Sequence, residues 1–164
     1  MKYFFTVLMA LTILFGIGLT VTPYIMESFW PAGKTAFQSA KPEDTRHAVA
    51  DWFAVPVEQV KSADSIRKLS SQGSMAWFHF SMPAQPVANF IGRNQLQQLE
   101  LTSDVLQQVF LVDAPSVDWW QPDSLGRETY FKGNDGKSDV ALIYNAEQEQ
   151  GFMLVKSLIK QQGF

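Results

Sequence analysis

The chain of 164 residues contains no cysteine. Without thiols it can form no disulfide, use no cysteine nucleophile, build no zinc-thiolate site and accept no lipid through cysteine. The compartment stays open, because exported domains that avoid mispaired disulfides and many cytosolic domains share this lack. Histidine is almost as scarce, since only His47 and His79 occur and neither lies in a spacing typical of metal ligands. We therefore expect no metal site and no cofactor.

An excess of charge of one sign is also missing. The chain has 13 Lys and Arg against 16 Asp and Glu, which gives a net charge of -3. A phosphate-binding surface needs a concentrated patch of Lys and Arg. The longest basic run is Arg67-Lys68. We therefore expect no nucleic-acid partner.

Motifs that carry catalysis are scarce as well. The sequences nearest to a serine nucleophile are Gly73-Ser74 and Ser124-Leu125-Gly126, and neither has the glycine-flanked turn that positions such a serine. A glycosidase needs two carboxylates in a cleft, and several acids lie in one loop-rich region. These acids are Asp113, Asp118, Asp123 and Glu128. Acids in polar loops are normally solvated, so we expect no catalytic residue.

One long hydrophobic run is present, and no charge interrupts the chain from Tyr3 to Met26. About 20 helical residues cross a hydrocarbon core of about 30 Å, and aromatic residues flank this run as interfacial anchors do. We expect a transmembrane helix within residues 1–26. A cleaved signal peptide is the alternative, with an apolar region of roughly 7 to 15 residues before an Ala-x-Ala-like site. Gly16-Ile17-Gly18 matches such a site poorly.

The charges around this run give only a weak orientation. Lys2 precedes it, while Lys34, Lys41 and Arg46 follow it. Because the run lies at the extreme N-terminus of the sequence, we expect a signal-anchor that carries the rest of the chain across the membrane. The N-terminus is then cytoplasmic, and the following domain is periplasmic or otherwise extracytoplasmic.

Thr12, Gly16 and Thr20 recur at every fourth residue within the run. Small side chains at this spacing share one helical face and permit close contact between helices in a membrane. The pattern predicts a helix-helix contact, such as a homodimer. The alternative is that Gly and Thr are ordinary tolerated residues of a spanning helix.

Beyond the run the sequence divides into two parts. Residues 27–41 mix small, polar and aromatic residues and predict a juxtamembrane connector rather than a regular element. Residues 42–164 have the length of one domain. Within them, Pro42-Glu43-Asp44 predicts a helix start, because proline suits the first turn and acids there match the helix dipole. Further helices are expected from Val87 to Leu96 and from Thr102 to Phe110.

The strand signals predict an antiparallel sheet. The aromatic-rich stretch Met75–Met82 is β-prone and predicts a hairpin with a first arm near Asp64–Leu69. Three later candidates, Glu128–Lys132, Ser138–Tyr144 and Phe152–Ile159, are separated by turns and predict a meander. No alternation of strands and helices demands a parallel sheet. We expect an α+β domain with an antiparallel sheet of about five strands and two or three helices.

The most distinctive local feature is the run of six residues from Asp118 to Asp123, which contains Trp119 and Trp120. If this segment is extended, the two rings point to opposite faces, so one enters the core while the other stays near the surface. An exposed tryptophan in a turn suits a sugar ring, a peptide or a membrane surface. Trp119, Trp120 and Asp123 are therefore candidate residues for binding a ligand or partner. The alternative is that both rings close an edge of the core.

Several apolar motifs between residues 75 and 158 carry a resemblance. They are Trp77-Phe78-His79-Phe80, a proline-opened helix with Phe90-Ile91, Trp119-Trp120-Gln121-Pro122, Tyr130 and Leu142-Ile143-Tyr144-Asn145. Their order resembles that in uncharacterised small bacterial envelope proteins, many of them lipoproteins. The resemblance implies no established activity. This chain differs in having no lipid-accepting cysteine, which leaves the hydrophobic helix as its anchor.

These observations predict a membrane-anchored envelope protein that is not an enzyme. Its domain would bind a protein partner or help an envelope complex to assemble. Two alternatives stay open. One is an envelope domain that binds or hydrolyses glycan or peptide through the loop Trp119–Glu128, and the other is an immunity or inhibitor protein.

Overall fold

The computed structural model describes residues 37–70 and 73–158, and these residues form an α+β domain. Within them lies one antiparallel sheet of seven strands in the order β1-β2-β3-β7-β6-β5-β4. The strands are Phe37–Ser39 (β1), Ser62–Ser70 (β2), Gly73–Ser81 (β3), Gln97–Glu100 (β4), Thr129–Asn134 (β5), Asp139–Asn145 (β6) and Gln150–Leu158 (β7). The α-helices are Pro42–Phe53 (α1), Ala84–Arg93 (α2) and Ser103–Val105 (α3). The predicted α+β class is confirmed.

The predicted membrane span is not part of this description. None of the helices in residues 37–70 and 73–158 is long and apolar enough to cross a membrane. The predicted span within residues 1–26 lies outside the described residues. The same holds for Thr12, Gly16 and Thr20.

Helix α1 begins where the sequence predicts. Pro42 occupies the first turn together with Glu43 and Asp44, whose negative charges favour the helix N-terminus. The helix ends at Phe53, and the next residue, Ala54, adopts a left-handed conformation with φ 55° and donates its backbone N–H to carbonyls of the last turn. Such a residue is a common helix stop. The buried side of α1 includes Phe53 and packs on the sheet.

The two faces of the sheet carry different layers. Strand alternation sends Phe78 and Phe80 to the face covered by α1 and α2, which we call the helix face. Trp77 points to the opposite face, which the segment 101–126 covers and which we call the loop face. Because both faces are covered, the central strands β6 and β7 are buried on both sides.

Aromatic rings fill the helix face. The ring centroid of Phe53 lies 5.1 Å from that of Phe80 and 4.7 Å from that of Phe90. The Tyr144 hydroxyl donates a hydrogen bond to the carbonyl of Met82 at 2.8 Å. Burial, with a smaller contribution from the charge of Glu149, raises the pKa of Tyr144 to about 12, so the hydroxyl keeps its proton. This side of the sheet is a packed core.

The sheet is larger than predicted, with seven strands where about five are expected from the sequence. The unexpected strands are those at the two edges, β1 and β4. Strand β1, Phe37–Ser39, lies within residues 27–41, which were expected to form a connector without regular structure. All residues of β1 and β4 are exposed. Without a buried side, neither strand shows the alternation that reveals strands in a sequence.

Candidate functional site

The segment Leu101–Gly126 builds a wall over the loop face. Its first helical turn is capped as predicted, because the Thr102 hydroxyl accepts a hydrogen bond from the Val105 N–H at 3.2 Å. After α3 the helix widens into a π-helix, Leu106–Leu111. Fewer than about 1% of residues adopt the π-helical conformation. Where a π-helix occurs, it often lies at a functional site. The wall is therefore an unusual element for so small a domain.

Trp120 holds the wall on the sheet. Its side chain is buried, and its Nε1–H donates a hydrogen bond to the carbonyl of Phe110 at 3.0 Å. Its ring meets Phe152 of β7 edge-on, with a centroid distance of 5.4 Å. One side chain thus joins the end of the π-helix to a central strand.

The other two predicted binding residues, Trp119 and Asp123, are less buried than Trp120. Trp119 is half-buried and contacts Trp120 edge-on at a centroid distance of 6.0 Å. Asp123 is exposed in a 3₁₀ turn, Pro122–Leu125, where its backbone carbonyl accepts a hydrogen bond from Gly126 at 3.2 Å. Trp119, Trp120 and Asp123 are not among the residues that line the groove described next. Their role in binding stays a prediction.

A groove lies between the wall and one end of the sheet. It consists of two adjoining cavities of about 290 Å³ and about 270 Å³, which share Met75, Asp113 and Lys156. Its apolar lining comes from the sheet and from the wall, namely Met75, Trp77, Ala141, Leu154, Val109, Phe110 and Val112. Three lysines also line it, Lys68, Lys132 and Lys156. We call this feature the lysine groove.

The strand register explains why the lysines meet. Lys68 of β2 lies opposite Met75 of β3, and Met75 lies opposite Lys156 of β7. Lys156 in turn lies opposite Asp139 of β6, so these residues form one row across the sheet. Lys132 of β5 lies opposite Ala141, two residues further along β6 than Asp139. Four separate strands therefore bring charged residues to one end of the loop face.

The three lysines differ in what they contact. Lys68 is engaged, because its Nζ lies 3.2 Å from Asp113 Oδ1 and 5.8 Å from the centroid of the Phe37 ring. Among the described residues, Lys132 and Lys156 have no carboxylate oxygen within 4.0 Å. Asp139, the acid nearest to Lys156 in the register, instead accepts a hydrogen bond from the Asn134 amide at 3.1 Å. Two cations of the groove are thus open to an incoming anion.

His79 lies on the same face of the sheet but outside this groove. Its ring stacks on Phe152 at a centroid distance of 4.8 Å. Its Nδ1 lies 3.8 Å from Asp64 Oδ2, which is too far for a hydrogen bond. Burial lowers the pKa of His79 from its ordinary value of 6.5, and the Asp64 carboxylate offsets part of this effect. The environment therefore favours a neutral, packed imidazole.

Acid is expected to destabilise the fold through His79. Because the pKa is lower in the folded chain than in the unfolded chain, the unfolded chain binds more protons, and the free energy of unfolding falls as the pH drops below about 6.5. Urea unfolding of wild type and His79→Gln at neutral and mildly acidic pH checks this, and the variant should lose less stability. Replacing the exposed His47 by Gln is the matched control. Equal pH dependence in wild type and His79→Gln would contradict the prediction.

Comparison of this chain with protein-family models, curated proteins and solved structures gave no match. The groove is therefore interpreted from its own chemistry. No signal in the sequence points to Lys132 and Lys156, because each is the single charged residue of its strand and belongs to no motif. Only the pairing of strands distant in the chain brings them together.

Proposed function

We propose that this chain is a membrane-anchored protein-interaction module, without enzymatic activity, that contacts its partner through the lysine groove. The domain lies outside the cytoplasm, and the segment from Tyr3 to Met26 is the anchor. The observation that carries the proposal is one open groove with an apolar floor and two lysines that have no carboxylate within 4.0 Å in the described part of the chain.

The lining of the groove supports protein contact. Interface centres are apolar and their rims are polar, and the groove has the same arrangement, with Met75 and Leu154 on its floor and lysines around them. Val112 lines the groove from the wall and is 71% exposed, so its side chain is available to a partner. Met75 adds an adaptable side chain that suits varied ligand shapes.

The anchor is supported by the sequence. A run without charge from Tyr3 to Met26 is long enough to span a bilayer as a helix. The resemblance to bacterial envelope proteins over residues 75–158 supports the same location. An anchored domain of this kind recruits or orients a second envelope protein at the membrane surface.

Because the chain has no cysteine, a single introduced cysteine tests both the location and the contact surface. Val112→Cys places the thiol in the groove, and Ala88→Cys places it at an exposed position of α2, on the other side of the sheet. A membrane-impermeant maleimide should label both full-length variants once any outer membrane is opened. A benzophenone maleimide should then crosslink a partner protein only from the cysteine at position 112.

Two results would count against the proposal. Labelling that requires lysis of the inner membrane would place the domain in the cytoplasm. Equal crosslinking from both positions, or none from position 112, would show that the groove is not the contact surface.

A further inference from the structure

We infer that the lysine groove binds an extended acidic peptide segment in which two carboxylates flank one apolar side chain. This inference rests on the proposed function and adds the chemistry of the partner. It follows from the charge, the spacing and the apolar floor of the groove.

The charge of the groove is opposite to that of the chain. The whole sequence carries a net charge of -3, yet the groove gathers three lysines and two aspartates. The Asp113 carboxylate pairs with Lys68 at an Oδ1–Nζ distance of 3.2 Å, so this end of the groove already holds one carboxylate next to a lysine. Lys132 and Lys156 lack such a partner among the described residues. An anionic ligand complements them, and attraction between opposite charges would guide its approach.

The spacing of the two open lysines selects a ligand with two anions. Lys132 and Lys156 lie on β5 and β7, with one strand between them, and are offset by two residues along the strands. With about 4.8 Å between strands and about 3.3 Å per residue, their Cα atoms are about 12 Å apart. An extended peptide covers this distance in about four residues. Two acidic residues four positions apart would therefore reach one lysine each.

The floor between the lysines explains the apolar side chain. Ala141 on β6 and Leu154 on β7 lie in the row of Lys132 and form the apolar floor between the two lysines. Met75 on β3 lies on the other side of Lys156 and extends this floor. In an extended peptide, residues i, i+2 and i+4 point to the same side. An acid at i, an apolar residue at i+2 and an acid at i+4 therefore present all three side chains to the groove. A lipid is the alternative anionic ligand with an apolar part. Because its charged group lies at one end of its apolar chains, it would pair with only one of the two lysines.

Methionine-methyl NMR of the full-length chain in phosphatidylcholine nanodiscs tests this inference. Met75 lies on the groove floor, while Met82 and Met153 are fully buried on the helix face and serve as internal references. The probe is the acetylated and amidated peptide Ser-Glu-Ser-Leu-Ser-Glu-Ser. The control peptides replace both Glu by Gln or the Leu by Ser.

The Glu-containing probe should shift the Met75 methyl signal saturably and leave those of Met82 and Met153 in place. The double variant Lys132→Gln and Lys156→Gln should weaken binding about tenfold, because it removes two partly exposed charge pairs. High salt should weaken binding in the same direction. Arg67→Gln is the matched control, since Arg67 is an exposed cation of β2 that lies outside the groove, and it should leave the affinity unchanged.

Three results would overturn the inference. They are equal binding of the Gln peptide, a Met75 signal that no peptide moves, and a Met75 shift caused by anionic phosphatidylglycerol nanodiscs without peptide. If Val112→Cys still captures a partner in these cases, only the acidic peptide is excluded as the ligand. Loss of the crosslink as well would overturn the proposed function itself.

Discussion

Replacing Trp120 by Ala is expected to lower the free energy of unfolding by about 3–5 kcal/mol, the range for truncating a buried aromatic side chain. The Trp120 side chain is only 6% exposed and touches Phe152 on the central strand β7. Its removal also leaves the Phe110 carbonyl without the hydrogen bond from Nε1. Natural domains are stable by about 5–15 kcal/mol, so this single change would make the fold marginal.

Two further variants separate the causes of this loss. Trp120→Phe keeps one buried aromatic ring but removes the N–H donor and part of the ring system, so it should cost less than Trp120→Ala, with about 1–3 kcal/mol coming from the unsatisfied buried acceptor. Trp119→Ala truncates a half-buried ring of the same type and should cost the least. Urea unfolding followed by circular dichroism measures all three variants. If Trp119→Ala were as damaging as Trp120→Ala, the assignment of Trp120 as the anchor of the wall would be wrong.

Gly151→Ala is expected to destabilise the chain by about 1–3 kcal/mol, the usual cost of overpacking a core. A Cβ atom at position 151 would lie 2.5 Å from Cζ of Phe80 and 2.9 and 3.0 Å from two neighbouring ring atoms. The Phe80 ring has little room to move. It is fully buried, its centroid lies 5.1 Å from that of Phe53, and it stacks on Tyr144 at 6.4 Å.

A double-mutant cycle tests this cause directly. Phe80→Ala alone should cost about 3–5 kcal/mol, because it removes a fully buried ring. Combined with Gly151→Ala, the total cost should be smaller than the sum of the two single costs, because the truncated side chain no longer meets the new methyl group. Additive costs would contradict the clash.

Gly92→Ala is the matched control for the glycine change. An added Cβ atom at position 92 would meet nothing within 4 Å, and Gly92 lies in helix α2. Alanine is favoured over glycine in a helix by up to about 1 kcal/mol, so this variant should be slightly more stable than wild type. The same substitution should therefore change stability in opposite directions at the two positions.

The elements that the sequence predicts well are those with local signals. Pro42 and the two acids after it fix the start of α1, and Thr102 caps α3 as predicted. The predicted hairpin corresponds to β2 and β3, and the predicted meander corresponds to β5, β6 and β7, with bounds that differ by a few residues. In each case the neighbours that decide the conformation lie within a few residues along the chain.

The lysine groove could not be predicted from the sequence in this way. Lys68, Lys132 and Lys156 belong to three strands that are far apart in the chain, and their meeting depends on the order and register of the sheet. The π-helix Leu106–Leu111 was also not predicted, since the Thr102 cap indicates an ordinary α-helix. Tertiary pairing, rather than local preference, creates the site.

The edges of the sheet bear on how copies of this domain behave when crowded. An open strand edge is a template for pairing with another chain, and long apolar edges promote aggregation. Here the two edge strands have only 3 and 4 residues, and β4 is largely polar, with two glutamines and a glutamate. Copies tethered to one surface collide more often than copies free in solution. If the domain is tethered to a membrane as proposed, these short edges would let copies accumulate side by side without merging their sheets.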